Sequence, residues 1–288
     1  MTTIDLGTIT APLLVCGGAY GNLQALEALA AFQSEAGVPD SLVIHTGDAV
    51  AYCTDTEAAT QFIASRGWHA IKGNVEEQIA SGAQDCGCGF EEGSACDVAS
   101  ARWYAHAVAT LSTASKAWMA GLPSQLTFRM SGLRARVVHG SVTRTNRFMW
   151  ESLPERGFAE ELDASGTDIV IAGHTGIPFT RFIGERCWHN SGALGMPAND
   201  GTQRVWVSVL SPTDGGIAIT HQALTFDAAT AAAAIRRDGL PAGYADGLET
   251  GLWPSLDILP PAERATTGQP IGLDGHAFMY PASRQAAE

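Results

Sequence analysis

Basic side chains are scarce in this chain: 17 Lys and Arg stand against 30 Asp and Glu, a formal net charge of −13 over 288 residues. A protein that neutralises nucleic-acid phosphates needs a Lys/Arg footprint. Nucleic acid is therefore not an expected partner, and neither is an anionic membrane surface. A small phosphorylated molecule remains open, because a bound metal can supply local positive charge. Long apolar runs are missing too. No stretch approaches 18 apolar residues, so no membrane-spanning helix is expected. The N-terminus, MTTIDLGTIT, lacks the basic region and apolar run of a secretory signal. The expected location is the cytoplasm, where the six cysteines (16, 53, 86, 88, 96 and 187) would stay reduced. No internal repeat or linker is visible.

What is present suits a folded domain with a sizeable core: 45% hydrophobic and 16% charged residues, with 32 glycines. Pro12 to Cys16 reads as a short buried strand, followed by the glycine-rich turn GGAYGN and a helix over 23–36. Ser41 to His45 reads as a second strand ending in TGD, with a helix over 56–65. Trp68 to Ile71 reads as a third, ending in GN. This repeated strand–turn–helix is the rhythm of an α/β fold, in which ligands gather at the carboxyl ends of the strands. Two helices are expected over 96–111 and 113–120, with Trp103, Tyr104, Trp118 and Met119 in the core. After them the period shortens. A hairpin is expected over 125–139, and strands near 169–172, 180–183, 186–189, 205–210 and 217–222. The Pro/Gly-rich tail from Gly239 is expected to wrap the surface.

Four polar residues end apolar strands: Asp48 in HTGDAV, Asn74 in IKGNVEE, His139 in VVHGS and His174 in IAGHTG. A strand end fixes a side chain, and neighbouring glycines let backbone close around an ion. A carboxylate, an amide oxygen and two imidazoles suit Mn, Fe or Zn. A lone histidine after a strand is more often a capped loop residue than a ligand. It is the set of four, in this order, that points to a metal.

That order resembles the calcineurin-like metallophosphoesterases, particularly their small bacterial phosphodiesterase-type branch. Gly47–Asp48, Gly73–Asn74, Val138–His139–Gly140 and Gly173–His174–Thr175–Gly176 match successive family motifs. The stretch from Asn190 to Pro197 resembles the family's Asn-Pro-Gly-Ser-Val-Gly-x-Pro. The resemblance implies a four-layer α/β/β/α sandwich of two mixed sheets flanked by helices. It also implies a metallophosphoesterase-like domain over 1–225 and a helical or irregular extension over 226–288 packed on it. Where the family opens with Asp-x-His-Gly-Asn, this chain has Gly18-Ala19-Tyr20-Gly21-Asn22, and the second His of the fifth motif is Gly176. The three ligands private to one metal are thus absent, and the four of the other are present. The resemblance implies one divalent ion on Asp48, Asn74, His139 and His174. The family's common His after the asparagine is Val75 here, so no leaving-group acid carries over.

Gly18, Tyr20, Asn22 and Arg147 are the candidate substrate-binding residues. The glycine turn before a helix presents backbone N–H groups to an anion, and Arg147, like Arg144, would grip a phosphate. Tyr20 reads equally as a phenolate ligand to iron, a hydrogen-bond donor or a packed ring. Cys53, Cys86, Cys88 and Cys96 lie on loops that leave the same edge of the sheet. They would suit a second, cysteine-bound zinc or an iron–sulfur cluster, against the plainer reading of small buried side chains. Three functional readings follow. The first is a metal-dependent phosphoric ester hydrolase acting on a small phosphorylated molecule. The second is a non-catalytic metal- or ligand-binding protein on the same scaffold. The third is an enzyme of other chemistry that uses a single iron or a cluster. Oligomeric state is not readable.

Overall fold

The computed structural model describes residues 2–281; Met1 and 282–288, the ends of the two expected segments, lie outside the described residues. The elements run β1 (Thr3–Thr8), β2 (Leu13–Cys16), α1 (Leu23–Glu35), β3 (Val43–His45), α2 (Thr56–Arg66), β4 (His69–Ala70), α3 (Asn74–Ser81), α4 (Ala95–Thr110) and α5 (Thr113–Gly121). The chain continues with β5 (Gln125–Met130), β6 (Leu133–Val137), α6 (Glu155–Ser165), β7 (Ile169–Ala172), β8 (Phe179–Ile183), β9 (Arg186–Asn190), β10 (Val205–Thr213) and β11 (Gly216–Leu224). It closes with α7 (Ala228–Arg237), α8 (Ala242–Thr250), α9 (Pro261–Ala265) and β12 (Ala277–Pro281). No described helix is long and apolar enough to cross a membrane.

Two six-stranded mixed sheets result, in the orders β1-β5-β6-β7-β9-β8 and β12-β11-β10-β2-β3-β4. Strand periodicity explains how they stack. Alternate side chains of a strand point to opposite faces, so an unbroken apolar strand needs cover on both sides. On β2, Leu13 and Val15 belong to the apolar cluster that holds Phe128, Val137 and Ile171 of the facing sheet, while Leu14 and Cys16 belong to the one that holds Leu26, Ile63 and Trp103 of the outer helices. On β7, Ile169 and Ile171 join the layer between the sheets, and Val170 and Ala172 pack with Phe158 and Leu162 of α6. Three apolar layers separate four structural ones, the α/β/β/α sandwich. Trp103, Tyr104 and Met119 are buried as expected, but Trp118 is only half-buried at the edge of the helical layer.

The segment from 226 shares this core. Ala231, Ala232 and Ile235 of α7 and Tyr244 and Leu248 of α8 join the layer that contains α1, and β12 pairs antiparallel with β11. The tail is therefore partly built into the sheet and does not only wrap the surface.

A polar seam crosses the layer between the sheets. Thr180 Oγ1 lies 2.9 Å from His189 Nδ1 and 2.8 Å from His221 Nε2, and all three residues are buried. Burial lowers the His221 pKa to about 4, with His276 adding repulsion, and burial together with His221 pushes His189 well below its usual value. Both rings fold neutral. The unfolded chain takes up their protons first as pH falls, so stability is fully present above about pH 6.5 and is lost toward pH 4. For His221 alone the loss is about 2–3 kcal/mol by pH 4.5. Urea unfolding at pH 7 and pH 4.5 is expected to show a smaller pH difference in His221→Gln than in wild type. An unchanged difference would contradict this assignment.

Candidate metal centre

The parallel strands β2, β3 and β4 of one sheet and β6 and β7 of the other all end at one edge of the sandwich. Their first loop residues meet there: Gly17–Asn22, Gly47–Asp48, Gly73–Asn74, Val138–His139 and Gly173–His174. His139 Nε2 lies 3.1 Å from Asn74 Oδ1, 3.1 Å from His174 Nδ1 and 3.2 Å from Asp48 Oδ2. Asp48, His139 and His174 form the one group of three or more His, Cys, Asp or Glu among the described residues whose ligand atoms lie within 4.8 Å of one another. All four residues are buried or nearly so.

The second partners orient these atoms. His139 Nδ1 is 2.7 Å from the Thr46 carbonyl, which fixes the proton on that nitrogen and turns the Nε2 lone pair inward. Asn74 Nδ2 donates to the Cys86 carbonyl at 2.9 Å and to Cys88 Sγ at 3.4 Å, leaving Oδ1 to face the centre. Asp48 Oδ1 accepts from Val75 N at 3.2 Å. Burial, with repulsion from His139, lowers the His174 pKa to about 3, so that ring is neutral. Burial opposes charge on both Asp48 and His139, but their mutual attraction prevails: Asp48 is held down and His139 is raised. Four potential electron-pair donors therefore converge, His174 offering its Nδ1 lone pair when the ring carries its proton on Nε2. A cation satisfies that donor set, and the chemistry of the four atoms fits a divalent ion. Tyr20, Asp48 and His174 also adopt positive φ (54°, 60° and 62°), a strained backbone typical of sites where geometry is dictated by function.

Glu76 is a functional residue that the strand-end reading misses. It is fully buried and accepts from Asp48 N at 2.9 Å, Ala49 N at 2.7 Å and Gly73 N at 2.7 Å. Its carboxylate ties together the two loops that carry Asp48 and Asn74. Burial and the adjacent Asp48 raise its pKa to about 7 despite those three amides. The signal for it is the capping-box spacing of Gly73-Asn74-Val75-Glu76, where a third-position Glu reaches back to the helix start.

The four candidate substrate residues separate. Asn22 caps α1, accepting from Ala25 N at 3.1 Å and donating to Gly195 O at 3.0 Å, so its amide is spent on the fold. Arg147 Nη1 pairs with the buried Glu161 at 2.6 Å and does not line the cleft. Gly18 lies beneath the Tyr20 ring. Tyr20 does line the cavity beside Asp48. Burial, followed by the Asp48 charge, pushes its phenol far above the usual value, which favours a protonated hydroxyl over a phenolate.

The cysteines correct two expectations. Cys86 and Cys88 are joined to each other across Gly87, whose φ of 62° closes the turn and brings the Cα atoms to 5.3 Å. They are not both free thiols. Nor are Cys53, Cys86, Cys88 and Cys96 gathered as one ligand set: Cys53 is buried with its thiol toward Gly195 O at 3.9 Å, and Cys96 is half-buried on the cavity wall.

The doubled α/β sandwich thus carries His, Asp and Asn together at its joined strand ends, a group that could hold a metal ion. The chain matches the calcineurin-like phosphoesterase superfamily domain over residues 21–212, about two-thirds of its length, and it belongs to that family. The match begins just past Gly18 and Tyr20, the positions that depart from the opening motif. A metallophosphoesterase from Sphaerobacter thermophilus has a similar structure, with a TM-score of 0.67, 20% identity, and coverage of 85% of this chain and 100% of its own. A hypothetical protein from Pyrococcus horikoshii OT3 is similar with a TM-score of 0.70, 14% identity, and coverage of 84% and 99%. At these identities they share the fold. No curated protein sequence matches the chain.

Proposed function

We infer that this chain is a metal-dependent phosphoric ester hydrolase with one metal site, acting on a small phosphorylated substrate. The convergence of Asp48 Oδ2, Asn74 Oδ1, His139 Nε2 and His174 Nδ1 carries this reading. A divalent ion held by these four atoms would polarise a phosphoryl oxygen and lower the pKa of a water. Thr46 would hold His139 in its ligand tautomer, and Glu76 would keep the Asp48 and Asn74 loops in register. Tyr20, which lines the cavity beside Asp48, would donate its phenol proton to a substrate oxygen.

One observation favours the second reading, a metal- or ligand-binding protein without turnover. Among the described residues no Lys or Arg lines the cavity beside the centre, so none of them offers a side-chain cation to transition-state charge there. Turnover decides between the two. Protein reconstituted with Mn²⁺ is expected to hydrolyse bis(4-nitrophenyl) phosphate or 4-nitrophenyl phosphate, and to lose that activity on chelation. Metal uptake with no hydrolysis of either ester would select the binding protein.

A further inference from the structure

Deeper than the metal centre lies the question of what fills the half of the cleft where the family's other ligands would stand. Gly18 holds the place of the first Asp, and the Tyr20 ring lies across it. A Cβ there would overlap the ring, with Tyr20 Cζ at 2.7 Å. Gly176 holds the place of the last His. Its φ is 72°, and a Cβ would sit 3.4 Å from Cζ2 of Trp253. Of the three lost ligand positions, the two held by glycine are thus covered by aromatic rings, one from Tyr20, which itself holds the third, and one brought from the C-terminal segment.

Those rings belong to a larger apolar wall. Tyr52 packs edge-on to Tyr20 at 4.9 Å between centroids and against Tyr244 at 4.9 Å. Phe148 stacks on His174 at 4.1 Å. Trp253 is anchored at both ends: its backbone N donates to Asn199 Oδ1 at 2.8 Å and its Nε1 to Pro197 O at 2.7 Å. Together they enclose a cavity of about 260 Å³ that has Asp48 and His174 in its lining. The remaining lining is mostly apolar, with Thr175 and Ser255 among it, and holds no Lys or Arg among the described residues.

We propose that this cavity receives the organic group of a phosphate ester whose alcohol is aromatic and uncharged, and that it discriminates against polyphosphates and small polar alcohols. The proposal rests on the phosphoester reading above and narrows its substrate class. Three features argue for it. A wall of rigid aromatic faces binds a ring through burial and edge or stacked contacts. A cavity of about 150 Å³ already accommodates benzene, so this one takes one or two fused rings with the ester phosphate toward the metal centre. Finally, a second or third phosphate, farther from the metal centre, would meet mostly apolar rings with no described Lys or Arg to pair it, a costly burial of charge. The rings of Tyr20 and Trp253 therefore stand for a change of specificity at the vacated site.

Phenylphosphonate and methylphosphonate separate the aromatic contribution from the phosphoryl contribution without needing turnover. With Mn²⁺-loaded full-length protein, calorimetry is expected to show phenylphosphonate binding roughly 10-fold tighter or more. That preference is expected to fall to a few-fold in Trp253→Ala and to be largely kept in Trp253→Phe, whose ring also controls for folding. Equal affinity of the two phosphonates for wild type overturns the proposal, and so does pyrophosphate binding as tightly as phenylphosphonate. Hydrolysis assays on phenyl phosphate and glycerol phosphate keep the two readings apart. Turnover without preference for the phenyl ester sinks the specificity claim alone. Phosphonate discrimination without turnover of any ester sinks the catalytic reading and supports the cavity's selectivity.

Discussion

His139→Ala is expected to lose the metal and, with it, at least ~100-fold of phosphoesterase kcat/KM, a loss of transition-state stabilisation of about 2.7 kcal/mol or more. The imidazole is the hub of the centre: its Nε2 is within 3.2 Å of Asn74 Oδ1, His174 Nδ1 and Asp48 Oδ2. Without it, Asp48 keeps its burial but loses its His139 partner, so its pKa should rise, and the centre loses one of its four ligand atoms. The Thr46 carbonyl would also lose its partner. Folding is expected to survive, because the residue sits in a loop beyond β6 and outside the three apolar layers. A variant that retains wild-type metal content and rate would remove His139 from the site.

Glu76→Ala is expected to cost more in stability, about 3–5 kcal/mol, or roughly 10 °C in Tm for a chain of this size. Three backbone N–H groups, those of Asp48, Ala49 and Gly73, lose their carboxylate acceptor in a region closed to water. An unsatisfied buried donor costs about 1–3 kcal/mol, and Asp48, whose φ of 60° is strained, loses the anchor of its backbone N–H. Metal affinity should fall as well, since two ligand-bearing loops are released together. Glu76→Gln is a milder test, as it keeps one acceptor oxygen but presents an amide N–H₂ to backbone donors. Thermal unfolding and metal titration of the two variants measure both effects. An unshifted Tm in Glu76→Ala would refute the positioning role.

Much of the sandwich was legible because its signals are local. Strands β2 and β3 are short, fully buried and close to a following glycine (Gly17 and Gly47), and helices α1 and α4 have side-chain N-caps in Asn22 and Ser94. The elements that escaped depend on distant partners. β1 is an exposed edge strand paired in parallel with β5, more than a hundred residues away, and its sequence, TIDLGT, has no buried face to set a period. Half of the buried face of α6 is polar, with Glu161 and Ser165 beside Phe158 and Leu162, which blurs the helical stripe. β12 follows a Pro/Gly-rich segment and is defined by its partner β11.

The candidate site divides the same way. Asp48, Asn74, His139 and His174 each end a legible strand, so their meeting follows from the fold. Arg147 and Asn22 drew attention by residue type, but type does not reveal a prior partner: Glu161 holds one, and Gly195 and the start of α1 hold the other. Tyr244 and Trp253 reach the cleft from the segment after 226, through tertiary packing that no sequence spacing encodes. The join between Cys86 and Cys88 likewise depends on the turn at Gly87.

Metal stoichiometry tests the one-site centre most directly. Elemental analysis of anaerobically purified protein, with and without reconstitution in Mn²⁺ or Zn²⁺, is expected to find one divalent ion per chain, absent from His174→Ala and retained in Cys86→Ala/Cys88→Ala. Two ions per chain, or none after reconstitution, would contradict it.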